Sequence, residues 1–361
     1  MYSQLYAWSN LLLAYRLAAK GKRGKQAAAQ FEHRLEDNLL ALQADLRTEN
    51  YRPGGYISFY IHEPKRRLIS AAPFRDRVLH HALCNLIEPI FERSFIANSF
   101  ANRVDKGTHR ALTTCQNYAR RYPYVLQCDL AQFFPSIDHA ILRQVLAKKM
   151  RDPHVLGLID KILASGAGIL TQDYDMTWFA GDDLMAAFRP RGLPIGNLTS
   201  QFWANCYLNS FDHFVQRRLH CPAYVRYVDD FLLFSHDKAV LIAWHDAILQ
   251  YLSRLRLSLH AGAHPQPVSE GIPFLGFRVF PQRRRLKRRK GVYFARKWRG
   301  LLRQYAHGRR SSTDLTAVAN GWGNHARFAN TVGLRKAVLG QVVLPKKNFR
   351  LGGKAPQPPQ R

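Results

Sequence analysis

The sequence predicts a mixed α+β fold, and three observations carry that prediction. Residues 1–50 have the apolar spacing of helices, residues 123–281 alternate short β-branched or aromatic runs with helical segments, and residues 281–310 are strongly basic. Strands that alternate with helical segments are typical of a sheet packed against helices. We therefore expect a helical start, a central sheet region and a basic end.

The composition excludes several classes of protein. Of the 361 residues, 47% are hydrophobic, which is too many for an intrinsically disordered chain. No apolar run approaches the roughly 18 residues that a membrane-spanning helix needs. The apolar run at 11–14 is interrupted by Arg16, so we expect no signal peptide. Five single cysteines without zinc-binding spacing indicate free thiols in a reducing cytoplasm.

The net charge points to the kind of partner. Lys and Arg together number 54 and Asp and Glu 25, which gives a net charge of +29. Such a charge favours a polyanion, either nucleic acid or an anionic membrane surface. Because the sequence shows no amphipathic anchor or lipidation signal, we favour nucleic acid and expect no membrane partner.

The N-terminal region is predicted to hold helices followed by a hairpin. Leucines recur at helical spacing over residues 35–46. Residues 56–61 and 65–70 have the composition of two strands with cations at their turn, and residues 74–97 are predicted to be helical. Further helices are expected over 139–164 and 199–219.

Three aspartates stand at the ends of predicted strands. Asp129 closes one aromatic and β-branched run, and Asp229 and Asp230 follow another. Like charges this close raise each other's pKa, so the three become tolerable if divalent cations lie between them. Two Mg²⁺ ions about 3.5–4 Å apart would activate a hydroxyl and stabilise a leaving pyrophosphate.

The alternative interpretation of Asp229-Asp230 is a hairpin turn with solvated carboxylates and no chemical role. The hydrophobic run at 231–234 follows immediately, so the pair interrupts two hydrophobic strands. A solvated turn at such a place prefers Gly or Asn. The flanking residues therefore favour chemistry over a solvated turn.

The motifs resemble those of reverse transcriptases. Residues 227–230, Tyr-Val-Asp-Asp, are similar to the family's catalytic box, and residues 125–138 to its first aspartate motif. Residues 65–75 and 102–109 resemble two fingers motifs, and residues 274–277 the primer grip. All occur in the family's order, over roughly residues 8–345.

The resemblance implies a right-hand polymerase. Its fingers would span about 1–122, its palm 123–281 and its basic helical thumb 282–345, followed by a flexible basic tail at 346–361. Within the thumb, Trp298 and Trp322 have a spacing that suits the core of a helical packing rather than base stacking.

The resemblance also assigns roles to individual residues. It makes Asp129, Asp229 and Asp230 catalytic and, with Leu130, ligands of two Mg²⁺ ions, for which Mn²⁺ can substitute. The nucleotide would contact Lys65, Arg67, Arg75, Phe134, Ile195, Gly196 and Gln201. The primer grip would be Phe274, Leu275 and Gly276. Template and primer would contact Arg103, Lys106, Arg283, Arg284, Arg285, Lys287, Arg288, Arg289, Lys290, Arg296 and Lys297.

Two of these positions carry alternatives. Phe134 would lie under the sugar and select deoxynucleotides while Phe133 packs in the core, and the two exchange roles if the local backbone is not a regular turn. Ile195 stands where most of the family has Gln, so it would offer the nascent pair only apolar contact and weaken geometry checking. Its alternative is simple core packing.

A second Asp-Asp pair and a histidine need separate interpretation. Asp182 and Asp183 precede the motif at 192–201 and lack a strongly β-forming run after them, so we expect a loop over 166–190 in which both acids are solvated. His264 lies near the place where the family often carries a proton-donating Lys; the alternative is a surface histidine.

Ile195 together with Ser200-Gln201 resembles the reverse transcriptases of diversity-generating retroelements. That branch implies cDNA synthesis with errors at template adenines (mutagenic retrohoming), a structured template RNA with its RNA/cDNA duplex, dNTPs and an oligomeric basic accessory variability protein. It further implies a cytoplasmic protein of a bacterium or phage. The alternatives are a retron-like, group II intron-like or defence-associated reverse transcriptase, and an RNA-binding scaffold without required chemistry.

Overall fold

The computed structural model describes residues 1–62 and 66–340, and its contacts divide the chain into two compact units. The first unit holds residues 1–272 and 280–282; the second holds residues 273–279 and continues from residue 283. The predicted border between fingers and palm falls inside the first unit. Lys65, residues 341–345 of the predicted thumb and the predicted tail at 346–361 lie outside the described residues.

The first unit begins with helices and a β-hairpin. Leu39, Leu42 and Leu46 are completely buried, as the leucine spacing predicted. The elements in order are α1 (Tyr2–Leu5), α2 (Trp8–Ala19), α3 (Gln26–His33), α4 (Leu35–Arg47), β1 (Ile57–Ile61), β2 (Arg67–Ala71), α5 (Phe74–Glu92) and α6 (Thr108–Arg121). Helix α5 ends at Glu92, five residues before the predicted end at residue 97.

An antiparallel sheet forms the centre of the first unit. Strand β3 (Tyr124–Ala131) lies between β5 (Asp230–Ser235) on one side and the short strands β6 (Ser258–Leu259) and β7 (Pro265–Pro267) on the other. Strand β4 (Tyr224–Tyr227) pairs with β5 at the edge. The central strand thereby ends beside the β4–β5 turn.

The helices between these strands cover the sheet. They are α7 (Phe133–Ser136), α8 (His139–Ala147), α9 (Pro153–Gly166), α10 (Leu198–Arg217) and α11 (Lys238–Arg254). The helical region predicted over 139–164 consists of two helices, α8 and α9. Asp152 caps α9 by accepting from His154 N–H, and Pro153 occupies the first helical position, a combination that starts a new helix.

The second unit combines a small sheet with three helices. It contains β8 (Ile272–Phe274) from Pro273 onward, β9 (Phe277–Val279), β10 (Arg284–Leu286), α12 (Arg288–Ala306), α13 (Ser312–Ala326) and α14 (Val332–Leu339). Trp298 is buried, and the ring of Trp322 stacks on Phe294 at 4.1 Å between centroids. The prediction that both tryptophans belong to the helical core is confirmed.

The described residues also agree with the composition. None of the helices in residues 1–62 and 66–340 combines the length and apolarity required to cross a membrane. All five cysteines are buried and outside any disulfide, and burial raises the pKa of Cys128 to about 12.

Candidate active site

The strand register brings two of the predicted catalytic aspartates together. In the antiparallel β3–β5 pair, Asp129 lies directly opposite Asp230. Side chains at directly opposed positions share one face of a sheet, with Cβ atoms about 4.5–5.5 Å apart. Two residues distant by about a hundred positions in the chain therefore meet at the end of the central strand.

Asp229 is supplied by the turn between β4 and β5. Tyr227 pairs with Asp230, so Val228 and Asp229 form the two-residue connection. Val228 has φ 60°, a left-handed conformation that costs a β-branched residue about 1–3 kcal/mol. The carbonyl of Asp229 accepts from the N–H of Leu130 at 3.2 Å, which fixes the turn against β3 beside Asp129.

The electrostatic environment at this end of the sheet disfavours the charged form of Asp229. Burial, and next the charge of Asp129, raise the pKa of Asp229, whereas Arg67 and Arg226 act to lower it. Asp230 accepts a hydrogen bond from the Gln127 side-chain amide at 3.1 Å. A cation among the carboxylates would relieve the repulsion that raises the pKa of Asp229.

The donors fit Mg²⁺ chemically, because the three side chains offer hard carboxylate oxygens. Leu130 has a buried hydrocarbon side chain, so only its main-chain carbonyl could be a ligand. Within residues 1–62 and 66–340, no three His, Cys, Asp or Glu side chains form a ready metal-holding group. The aspartates are therefore neighbours but not a closed cage.

The loop that carries Ile195 is bound to hairpin strand β2. The Ser70 N–H donates to the Ile195 carbonyl at 2.8 Å, and the buried Asn197 amide donates to Ser70 O at 2.9 Å. Gly196 has φ 119°, and a Cβ there would lie 3.0 Å from Ile69 Cγ2, so glycine is needed. The sequence thus brings the 192–201 motif beside the strand that starts at Arg67.

The alternatives left open at Phe134 and Ile195 can be compared with this geometry. Phe133 is 3% exposed and belongs to the core, whereas Phe134 is half-buried at the start of α7. This is the first of the two arrangements considered. Ile195 is half-buried and lies outside the buried core, which disfavours simple core packing, and Gln201 is exposed on α10.

The predicted triphosphate ligands Arg67 and Arg75 differ in their exposure and in their internal hydrogen bonds. Arg67 is exposed, and its charge reaches Asp229. Arg75 donates to Asp45 at 3.2 Å and to the Arg52 carbonyl at 2.8 Å. A triphosphate would have to compete with those internal acceptors for Arg75, so the geometry favours Arg67.

Arg103 has an internal role rather than a free guanidinium. Its side chain is 5% exposed and pairs with Glu92 at 2.6 Å. It also donates to the carbonyls of Ile96 and Ser99. This geometry argues against the predicted nucleic-acid contact, because releasing Arg103 would leave buried acceptors unpaired. Lys106 donates to the Ala97 carbonyl at 2.8 Å and is half-buried.

The expectation that both acids of the second Asp-Asp pair are solvated is wrong for Asp182. The Arg256 guanidinium donates two hydrogen bonds, of 2.6 and 2.7 Å, to the Asp182 carboxylate, and the side chain of Asp182 is 7% exposed. These bonds lower the pKa of Asp182. Asp183 is exposed and accepts from Met185 N–H. His264 is exposed, with Nδ1 2.7 Å from Gly262 O.

The predicted thumb and primer-grip residues belong to the second unit. Phe274 is completely buried, and Leu275 and Gly276 form the β8–β9 turn, both with positive φ as such two-residue turns demand. The thumb cations predicted to contact nucleic acid lie on β10, on α12 and beside them, and all except the half-buried Arg284 are exposed: Arg283, Arg285, Lys287, Arg288, Arg289, Lys290, Arg296 and Lys297.

Sequence reasoning missed three residues that shape the site. Arg226 is completely buried beneath the β4–β5 turn, Gln127 donates to Asp230, and Asn197 donates from its loop to β2. An arginine inside an otherwise apolar strand was the available signal for Arg226, since such a residue almost never becomes buried without a partner.

Comparison with known proteins identifies the family. The family model "Reverse transcriptase (RNA-dependent DNA polymerase)" matches residues 61–279. This range exceeds half of the chain, so the chain belongs to the reverse transcriptase family. The match and the mixed helices and antiparallel sheets of the structure confirm the predicted fold class, a right-hand polymerase.

Several curated proteins and a solved structure are similar to parts of the chain. Protein YkfC of Escherichia coli is 25% identical over 296 residues, 70% of this chain and 74% of its own. The group II intron-encoded protein LtrA of Lactococcus lactis is 26% identical over 183 residues, 50% of this chain and 28% of its own. Nuclear intron maturase 2 of Arabidopsis thaliana is 27% identical over 145 residues, 36% of this chain and 20% of its own. An apo telomerase from Candida tropicalis aligns with TM-score 0.44 and 10% identity over 65% of this chain and 49% of its own.

Proposed function

We propose that the chain is an RNA-directed DNA polymerase that adds deoxynucleotides to a primer 3′-hydroxyl on an RNA template. The observation that carries this proposal is the register of Asp129 opposite Asp230 beside the turn that holds Asp229. The chain spans only 28% and 20% of the lengths of LtrA and the maturase.

The residues of the first unit would divide the work of nucleotide addition. Asp129, Asp229 and Asp230 would hold two Mg²⁺ ions, which supply activation of the 3′-hydroxyl and stabilisation of pyrophosphate. Arg67 would attract the triphosphate with a guanidinium that can fork onto phosphate oxygens. Phe134 would exclude a 2′-hydroxyl beneath the sugar.

Primer extension by the purified full chain on a defined RNA template tests this proposal. With Mg²⁺ present, we expect cDNA from wild type and none from D229A/D230A. D182A/D183A is the matched control, because it removes the Asp-Asp pair outside the proposed site and should retain synthesis once the protein is shown to be folded. An unchanged cDNA yield from D229A/D230A would favour the scaffold alternative.

We further propose an adenine-mutagenic subtype, as in diversity-generating retroelements, working with a basic accessory protein. Its support is Ile195, whose half-buried side chain beside β2 can offer a nascent pair no hydrogen bond. The competing subtype is a group II intron-like enzyme, which the intron-encoded relatives favour.

Sequencing the cDNA made from RNA templates of known sequence separates the two subtypes. Errors concentrated at template adenines, and reduced in I195Q, would support the retroelement subtype. L198Q, a substitution at another half-buried apolar residue of the same motif, is the control for inserting an amide. Errors spread evenly over the four template bases would reject the retroelement subtype.

A further inference from the structure

A completely buried ion pair lies beneath the catalytic turn. Arg226 of β4 donates to Asp212 of α10 through Nε at 2.7 Å and Nη2 at 2.6 Å, and both side chains are 0% exposed. Taking two charges out of water is costly unless the remaining donors are also satisfied. The other N–H groups of Arg226 therefore need hydrogen-bond acceptors as well.

The remaining donors of Arg226 connect three parts of the first unit. Nη1 donates to the Val228 carbonyl at 3.0 Å and to Asn205 of α10 at 3.2 Å, and Nη2 donates to Ser99 Oγ at 3.0 Å. A guanidinium has five N–H donors, and here each has an acceptor. Arg226 thus joins α10, the segment around Ser99 and the turn between β4 and β5.

The bond to Val228 acts where the backbone is under strain. Val228 is β-branched and has φ 60°, a conformation that persists only where its surroundings fix it. Because the peptide group is planar, fixing the Val228 carbonyl also fixes the direction of the Asp229 N–H. On the other side, the Asp229 carbonyl is held by Leu130 N–H.

We propose that Arg226 is a positioning residue for nucleotide addition: through the Val228 carbonyl it holds the turn in the conformation that presents Asp229 beside Asp129. This inference rests on the proposed function. Lysine could keep the ion pair with Asp212, but its single ammonium cannot reproduce the planar fork that serves both Asp212 and the turn.

The chain offers a matched control for the burial of this cluster. The Tyr224 hydroxyl donates to the same Asp212 carboxylate at 2.9 Å, and Tyr224 is also completely buried. Y224F therefore removes one hydrogen bond from the buried cluster and leaves the Arg226–Val228 bond in place. A merely structural role of Arg226 predicts similar behaviour of R226K and Y224F.

The experiment compares wild type, R226K and Y224F in single-nucleotide incorporation at increasing dNTP, together with urea unfolding. We expect R226K to lower the maximal rate by about tenfold or more, since small displacements of reacting groups are costly, with little change in the dNTP concentration for half-maximal rate. Y224F should unfold at lower urea and keep the wild-type rate. Equal rates in R226K and wild type, or equal losses in R226K and Y224F, would overturn the proposal.

Two further measurements keep the test decisive. If R226K does not fold, R226M/D212L replaces it under the same criteria, because an apolar pair removes the bond to Val228 without leaving a buried charge unpaired. Hydrogen exchange of the 224–230 peptide should accelerate in R226K and not in Y224F. Unchanged exchange in R226K overturns the positioning role even if wild type does not polymerise, whereas an inactive wild type with accelerated exchange in R226K rejects only the polymerase function.

Discussion

The two Asp-Asp pairs of this chain have opposite electrostatic environments. At 229–230 the pair stands beside Asp129, and burial together with that neighbouring charge raises the pKa of Asp229. At 182–183 the first acid is held by both Nη atoms of Arg256, and these bonds lower the pKa of Asp182. The same dipeptide thus holds a carboxyl with a raised pKa in one place and a carboxyl bound by a guanidinium in the other.

This difference shows what makes a carboxylate pair suitable for metal chemistry. A carboxylate that already has a guanidinium partner gains little from a cation and would lose good hydrogen bonds to bind one. Acids that lie close together repel each other, and a cation between them relieves that repulsion. The surroundings of the pair, and not the pair itself, therefore decide its function.

The largest expected effect comes from changing an aspartate of the proposed active site. D129N replaces the carboxylate opposite Asp230 by a neutral amide. It should lower the rate of primer extension by about 10²–10⁴-fold, since metal-assisted charge stabilisation contributes several kcal/mol. D183N, at the exposed acid of the other pair, should leave the rate unchanged. Comparable rates for D129N and wild type would contradict the assignment.

Removing the Asp182 charge that Arg256 binds should instead lower the free energy of unfolding. D182N loses the charged, two-bond contact with Arg256 and leaves that guanidinium its longer ion pair with Asp138 at 3.7 Å. We expect a lower urea midpoint for D182N than for wild type, with primer extension retained under conditions where the variant is folded. Loss of extension by folded D182N would show that this pair also serves the reaction.

The pH dependence of stability should differ in sign between the two acids. The lowered pKa of Asp182 means that its stabilisation is complete above the ordinary Asp value of about 4 and is lost as the pH falls through its folded pKa. The raised pKa of Asp229 means that its favourable contribution is present below the ordinary value and is lost as the pH rises through its folded pKa. The urea midpoint of D182N should therefore fall less steeply than that of wild type as the pH is lowered. The urea midpoint of D229N should fall less than that of wild type as the pH is raised towards neutral.

The smallest expected effect is a gain of stability. In EDTA at neutral pH, D229N should unfold at slightly higher urea than wild type, because the substitution removes the repulsion from Asp129. Adding Mg²⁺ should raise the midpoint of wild type more than that of D229N, since an ion that binds the folded state stabilises it. A midpoint that Mg²⁺ shifts equally in both proteins would argue against a metal at Asp229.

The elements and the order of motifs were largely predictable. Apolar spacing at 35–46, aromatic and β-branched runs before Asp129 and Asp229, and the spacing of Trp298 and Trp322 are local patterns that fix one buried face. The structure contains the corresponding helices, strands and helical core. Within the helical region expected over 139–164, the cap at Asp152 and Pro153 decides where the second helix begins.

The partners of individual charges were not predictable. Arg75 meets Asp45 across 30 residues, Asp182 meets Arg256 across 74, and Arg226 meets Asp212 across 14. Nothing in the spacing distinguishes an arginine that will bind phosphate from one that will satisfy a buried acid. The internal contacts of Arg75 and Arg103 illustrate this, since both resemble ligands in sequence.

The sequence by itself determined that this chain is a reverse-transcriptase-like α+β protein with aspartates at the ends of its strands, because hydrophobic periodicity and turn chemistry act over a few neighbouring residues. Only the tertiary structure decided that Asp129 faces Asp230, that Phe133 is the buried ring of its pair, and that Arg226 lies beneath the β4–β5 turn. These features depend on strand register and on which charges are buried together, and both are fixed by contacts between segments far apart in the chain.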